Sequence, residues 1–179
     1  QSRSSAASDV YKRQPADKVH QFTLKQEFSL QPNSPLTCGL FLNDHTHISG
    51  LENGDIMISH IHSELNQSTS SVIKNTLNLN TLISLNAIEA NNKLSHVFAS
   101  FKESNKIHIF SGDNEHESTK GEYHHSSLEF NHSSFNSTDT LITGLELHPL
   151  NTFLIANSQN KGIFVMFDLE TSKQLLHHS

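Results

Sequence analysis

Histidine is the residue type in this chain with the most chemistry to offer, because 14 of the 179 residues are histidine. Four pairs are spaced so that each could supply two ligands to one ion: His45 with His47, His60 with His62, His124 with His125, and His177 with His178. Positions i and i+2 of a strand share a face, so His60 and His62 could address the same ion. A metal centre also needs further donors at fixed spacing, such as paired cysteines or an HExxH helix. Cys38 is the single cysteine, and neither pattern occurs. The histidines therefore read as part of a polar surface.

Other chemistries fare no better. Serine is abundant, yet no GxSxG elbow exposes one as a nucleophile. The seven glycines are all isolated, so no loop can cradle a phosphate. Glu115 and Glu117 are close in sequence, but their surroundings lack the apolar residues that would raise a carboxyl pKa for acid catalysis. No residue qualifies as catalytic, cofactor-binding or metal-binding, and no cofactor is implied. The expectation is a protein that is not an enzyme.

Composition narrows the classes further. Net charge is −6 with histidine neutral, and the 12 Lys and Arg residues are scattered. That balance gives no electrostatic footprint for non-specific nucleic-acid binding and leaves RNA contact only to a local patch. One cysteine excludes an intrachain disulfide and fits a reducing compartment, so an intracellular setting is expected. No stretch approaches the ~20 apolar residues of a membrane helix. Sequons at Asn66, Asn131 and Asn136 read as chance in so Asn- and Ser-rich a chain. Residues 1–14 (QSRSSAASDVYKRQ) have no periodic apolar pattern and read as a non-native or disordered leader, making the rest an internal piece of a longer protein.

The elements available to position side chains are strands. A block of three short apolar runs separated by polar turns recurs at Leu36–Ile61, Leu82–Phe110 and Leu141–Asp168. In the first, alternation predicts strands over 36–42, 47–51 and 56–61. Asn53-Gly54 forms the second turn, with positive φ expected at both residues. Residues 62–71 read as a loop and Val72–Leu79 as the outermost strand. The second block predicts strands at 82–88, 97–101 and 106–110, its β-branched and aromatic content arguing against helix. Residues 111–140 read mostly as a long exposed insertion, with one strand near 127–132. The third block predicts strands at 141–147, 152–156, 163–167 and 173–177. Gln21–Leu30, with Phe22, Leu24, Phe28 and Leu30, would be an outer strand of a preceding unit. Of the aromatics, Phe98, Phe101, Phe110, Phe164 and Phe167 are the expected core between units.

Repetition of such units every 40–60 residues or so signals a radial array of sheets. Leu147-His148-Pro149, Lys161-Gly162 and Phe167-Asp168 resemble, in order, the first turn, second turn and closing Trp-Asp of a WD-repeat blade. Phe stands where that family has Trp, which keeps an apolar plug and drops the indole donor. The other two blocks end in His60-Ile61 and Ile109-Phe110, without the Asp. The fold expected is all-β: a partial WD-repeat β-propeller over residues 15–179, with about three four-stranded antiparallel blades near 36–80, 82–132 and 141–179. The HPLN turn and the IFVMFDLETSKQL ending are similar to the second propeller of the cirhin-like WD-repeat subunits of the small-subunit processome.

That resemblance implies a non-catalytic scaffold that holds other proteins in a multi-subunit assembly. It points to pre-rRNA processing in the nucleus or nucleolus, with RNA contact indirect. The alternative is a propeller enzyme or metal-dependent hydrolase with ligands near the central channel. By the same resemblance, Asp44, Asp168 and His148 are expected to fix turns rather than act. Three blades do not close a ring, so exposed sheet faces and poor solubility are expected of them alone.

Overall fold

The computed structural model describes residues 32–62, 67–90, 93–102, 104–112, 123–129, 141–159 and 162–178. The readings made for residues 1–14, Gln21–Leu30, Glu115, Glu117 and the three sequons lie outside them. Among the described residues twelve strands form three antiparallel sheets of four, each a meander with its strands in chain order. The first sheet is β1 (Leu36–Asn43), β2 (Thr46–Leu51), β3 (Ile56–His62) and β4 (Gln67–Ile73). The second is β5 (Leu82–Ala90), β6 (Lys93–Phe101), β7 (Ile107–Gly112) and β8 (Tyr123–Leu128). The third is β9 (Gly144–Leu147), β10 (Phe153–Ser158), β11 (Ile163–Asp168) and β12 (Lys173–His178).

The sheets stack through their faces. β1 packs beside β5 and β5 beside β9, so the leading strands of all three lie together. Ile48, Ile56, Ile58 and Ile73 of the first sheet meet Leu82, Leu85, Ala87, Val97, Ala99, Phe101 and Phe110 of the second. The other face of the second sheet offers Phe98, Ile107, Ile109 and Leu128 to Leu145, Leu154, Ala156, Ile163, Val165 and Phe167 of the third. Strand alternation explains why neighbours such as Phe98 and Val97 serve different interfaces. Phe98, Phe101, Phe110 and Phe167 are core, as expected. Phe164 is not: it is 38% exposed on the far face of the third sheet, one residue out of phase with Val165.

The outermost strands of the first two sheets correct the sequence reading, while β12 falls where it is expected. β4 covers Gln67–Ile73, where a loop is expected, and residues 74–81 connect it to β5. β8 covers Tyr123–Leu128, earlier than the strand expected near 127–132 and inside the expected insertion. Both carry largely exposed polar side chains: Thr69, Ser70 and Ser71 in β4, and His124, His125, Ser126 and Ser127 in β8. An outer strand pairs on one side only, and polar side chains there discourage edge-to-edge association. The third block begins later than expected, at Gly144.

The β2–β3 turn also differs. Gly54 alone has positive φ, 82°; Asn53 does not. Gly54 N donates to Leu51 O (2.9 Å) and Leu51 N donates to Asp55 O (3.0 Å), which is a three-residue hairpin whose glycine forms a bulge. A Cβ at Gly54 would overlap Leu79 O, so close approach requires glycine as much as φ does.

Candidate interaction cleft between the second and third sheets

Cross-strand register fixes which residues of the second sheet look toward the third. One row is Asn86, Phe98, Ile109 and Ser126; the next, nearer the sheet's end, is Ile88, His96, Ser111 and His124. On the inner strands this face is tied to the third sheet by polar groups. Leu145 N donates to Ser84 Oγ (3.1 Å), Asn86 Nδ2 donates to Leu145 O (3.3 Å), and Ser100 Oγ donates to Ile142 O (3.0 Å). Toward the outer strands the small side chains of Ser111 and Ser126 leave space, and a cleft of about 570 Å³ opens there. That volume lies within the ~300–1,000 Å³ typical of ligand pockets.

The third sheet closes the cleft with two turns. In the β9–β10 turn His148 N donates to Phe153 O (2.9 Å), Asn151 N donates to His148 O (2.7 Å), and Asn151 takes a φ of 56°. His148 Nδ1 accepts from Leu150 N at 3.3 Å. In the β11–β12 turn Asp168 Oδ1 accepts from Thr171 N at 2.8 Å. This bond is the main reason the Asp168 carboxyl lies below its ordinary pKa. Leu169 N donates to Thr152 O (3.0 Å), joining the two turns. Phe98, Ile109, Phe153 and Leu169 supply apolar lining, while Asp168 and Glu170 bring carboxylates to it. Among the described residues no Lys or Arg lines the cleft. His96 lines it beside Phe98, their rings stacked at 6.3 Å, and burial pushes its pKa down.

The turn residues singled out in the sequence have mixed outcomes. Asp168 and His148 do accept backbone N–H groups. In the β1–β2 turn the acceptor is Asn43, whose Oδ1 takes His45 N at 2.9 Å, while Asp44 is exposed. Sequence reasoning misses Asp55, which is 5% exposed and accepts from Asn75 N (2.9 Å), Lys74 Nζ (2.9 Å) and Asn53 Nδ2 (3.0 Å). Burial pushes this carboxyl up, but the three donors outweigh it and hold its pKa below the ordinary value. The Asn53-x-Asp55 spacing around Gly54 is the available signal.

The histidine pairs separate. His45 is exposed in its turn, while His47 lies against Phe41 with ring centroids 4.7 Å apart. His60 Nδ1 contacts Thr46 Oγ1 at 3.3 Å. The side chains of His62, His177 and His178 lie outside the described residues. His124 and His125 take opposite faces of β8. His125 meets a histidine that the spacing argument misses: its Nε2 is 3.0 Å from His108 Nδ1, and His108 Nε2 is 2.8 Å from Ser104 Oγ. His108 is buried edge-on against Phe101. Burial, then the charges of His125 and Lys106, lower its pKa to about 4. Among the described residues no three His, Cys, Asp or Glu side chains gather as a metal site would require. Burial raises the Cys38 thiol pKa, which makes the reactive thiolate scarcer.

No family model and no curated protein matches the chain. Its fold is similar to that of many solved structures, three of which follow. One is the β-propeller domain of Cps50 (Swd1) from Myceliophteria thermophila, at 14% identity and a TM-score of 0.52, covering 78% of this chain and 40% of that one. Another is Hsv2 from Kluyveromyces lactis, at 12% identity and 0.51, covering 83% and 39%. The third is a protein from Lactobacillus plantarum, at 15% identity and 0.52, covering 83% and 42%. The chain thus spans about two-fifths of the length of each. Identity this low speaks to architecture alone, and the architecture is that of a β-propeller, of which these sheets form three consecutive blades.

Proposed function

We propose that this chain is part of a non-catalytic scaffold that holds other proteins within a multi-subunit assembly. The observation that supports it most is the rigid presentation of turns. Three stacked sheets carry loops whose backbones are pinned by Asp55, Asn43, His148 and Asp168. A surface already ordered loses little conformational entropy when a partner docks. Its likeness to β-propeller structures agrees with that use.

The finer reading is ribosome biogenesis. The resemblance of the third block's HPLN turn and IFVMFDLETSKQL ending to cirhin-like subunits is what supports membership of a pre-rRNA processing complex in the nucleus or nucleolus, with RNA reached through protein partners. Affinity purification of the tagged full-length protein tests both levels. Stable, stoichiometric co-purifying proteins are expected, and recovery of none would overturn the scaffold. Recovery of partners without any ribosome-assembly factor would remove the finer reading alone. Stoichiometric zinc or calcium in the purified protein would favour a metal-dependent enzyme instead.

A further inference from the structure

We infer that the cleft between the second and third sheets receives an extended peptide segment in which a lysine or arginine is flanked by aliphatic side chains. The inference rests on the scaffold reading for the kind of partner and on the cleft for its chemistry. The apolar lining from Phe98, Ile109, Phe153 and Leu169 favours aliphatic groups, which gain by leaving water. Asp168 and Glu170 set negative charge beside that lining, and no lining Lys or Arg among the described residues offsets it. The nearest counter-charge in register is Lys173, opposite Asp168 on β12, and it does not line the cleft.

Geometry supports a site that is formed before a partner arrives. The Asp168 carboxylate is anchored by Thr171 N and is held ionised by that bond. The two turns that carry the carboxylates and Phe153 are joined by the Leu169–Thr152 backbone bond. Glu170, by contrast, is exposed and can be exchanged without disturbing the core. An arriving cation would meet one fixed and one movable carboxylate, and its aliphatic neighbours would cover the half-buried Phe153 and Leu169.

The test uses a fluorescein-labelled peptide, Gly-Ser-Leu-Lys-Leu-Ser-Gly, and a twin with Glu in place of Lys, followed by fluorescence anisotropy on the full-length protein. The lysine peptide is expected to bind, and the Glu twin about tenfold or more weakly, because like charges then face each other. Glu170→Lys sets a cation beside Asp168, cancels the negative charge of the cleft and should bring the two peptides to similar affinity. Ser126→Trp, which fills the cleft from an exposed position, should abolish binding of both. Glu52→Lys, at the β2–β3 turn, should change neither. Failure of the lysine peptide to bind protein that retains its strand circular dichroism, or binding indifferent to Glu170→Lys and Ser126→Trp, would overturn the inference. If partners still co-purify with the Ser126→Trp protein, the cleft fails and the scaffold stands; if none co-purifies with the unaltered protein, the scaffold itself fails.

Discussion

On its side toward the first sheet, the second sheet is apolar along the inner strands, with Leu85, Ala87, Val97 and Ala99, and filled at the outer strands by Phe110 and His125. On its side toward the third sheet polar and small side chains join the apolar row of Phe98, Ile107, Ile109 and Leu128. Ser84, Asn86 and Ser100 stand on the inner strands and bond to the backbone of Ile142 and Leu145, while Ser111 and Ser126 leave the outer strands underfilled. The first interface is also clasped beyond its apolar centre: Asn43 Nδ2 donates to Glu89 Oε2 at 2.9 Å, and Asp55 holds the connector through Lys74 and Asn75. The second interface has the cleft instead. One sheet thus closes on one neighbour and stays partly open to the other, and side-chain size at adjacent positions of the same strands decides which.

The sharpest way to break the contrast is to attack the clasp. Gly54→Ala drives a Cβ into Leu79 O and keeps a left-handed φ of 82°. We expect a loss of about 2–4 kcal/mol in urea unfolding, combining backbone strain with displacement of the connector. Gly162→Ala is the matched control in the third sheet. Its φ is 64°, but among the described residues no atom beyond its chain neighbours lies within 4 Å of the added Cβ, so only the conformational cost of about 1 kcal/mol is expected. Equal losses in the two variants would mean that the packing against Leu79 contributes nothing.

The histidine pair makes the closed face pH-sensitive. His108 has a folded pKa of about 4 against an ordinary 6.5, so between those values the unfolded chain binds the extra proton. Stability is therefore complete above pH 6.5, falls as pH drops toward 4, and levels off below. A shift of this size corresponds to a loss of roughly 2–3 kcal/mol, allowing for partial solvent access. His108→Gln should flatten that part of a pH-dependent melting series. His47, His96 and His125, also lowered by burial, leave a residual slope. An unchanged profile in the variant would show that His108 is not the titrating group.

How much of this the sequence discloses follows from where apolar residues stand. Strands β2, β3, β6, β7, β10 and β11 alternate or run apolar because at least one face of each meets another sheet, so the plan of four-stranded units is readable from them. The outermost strands of the first two sheets are hidden. QSTSSVI and YHHSSL carry too few apolar side chains to stand out from loop, yet backbone pairing suffices to make them strands. Losing β8 loses the cleft and the histidine pair as well, since Ser126, His124 and His125 acquire their neighbours only through its register with β7. Asp168 and His148 are legible because their partners are within a few residues. Asp55 is not, because its partners Lys74 and Asn75 are 19 and 20 residues away.

The inner strands of the open side give a smaller, cleaner test. Ser100 is fully buried and donates to Ile142 O at 3.0 Å. Ser100→Ala removes that donor and leaves the carbonyl without it, which should cost about 1–2 kcal/mol by chemical denaturation. A negligible change would mean that the inner strands of these two sheets are held by apolar packing alone.

The same substitution one sheet away should have the opposite sign. Ser59 is also fully buried, on β3, but its hydroxyl has no hydrogen-bond partner among the described residues. The folded state therefore carries the desolvation cost of a hydroxyl without the bond that normally offsets it. Ser59→Ala removes the hydroxyl and leaves a methyl that fits the same space. We expect a change between zero and about 1 kcal/mol of stabilisation. A loss comparable to that of Ser100→Ala would show that the Ser59 hydroxyl does bond and that the two serines stabilise their sheets alike.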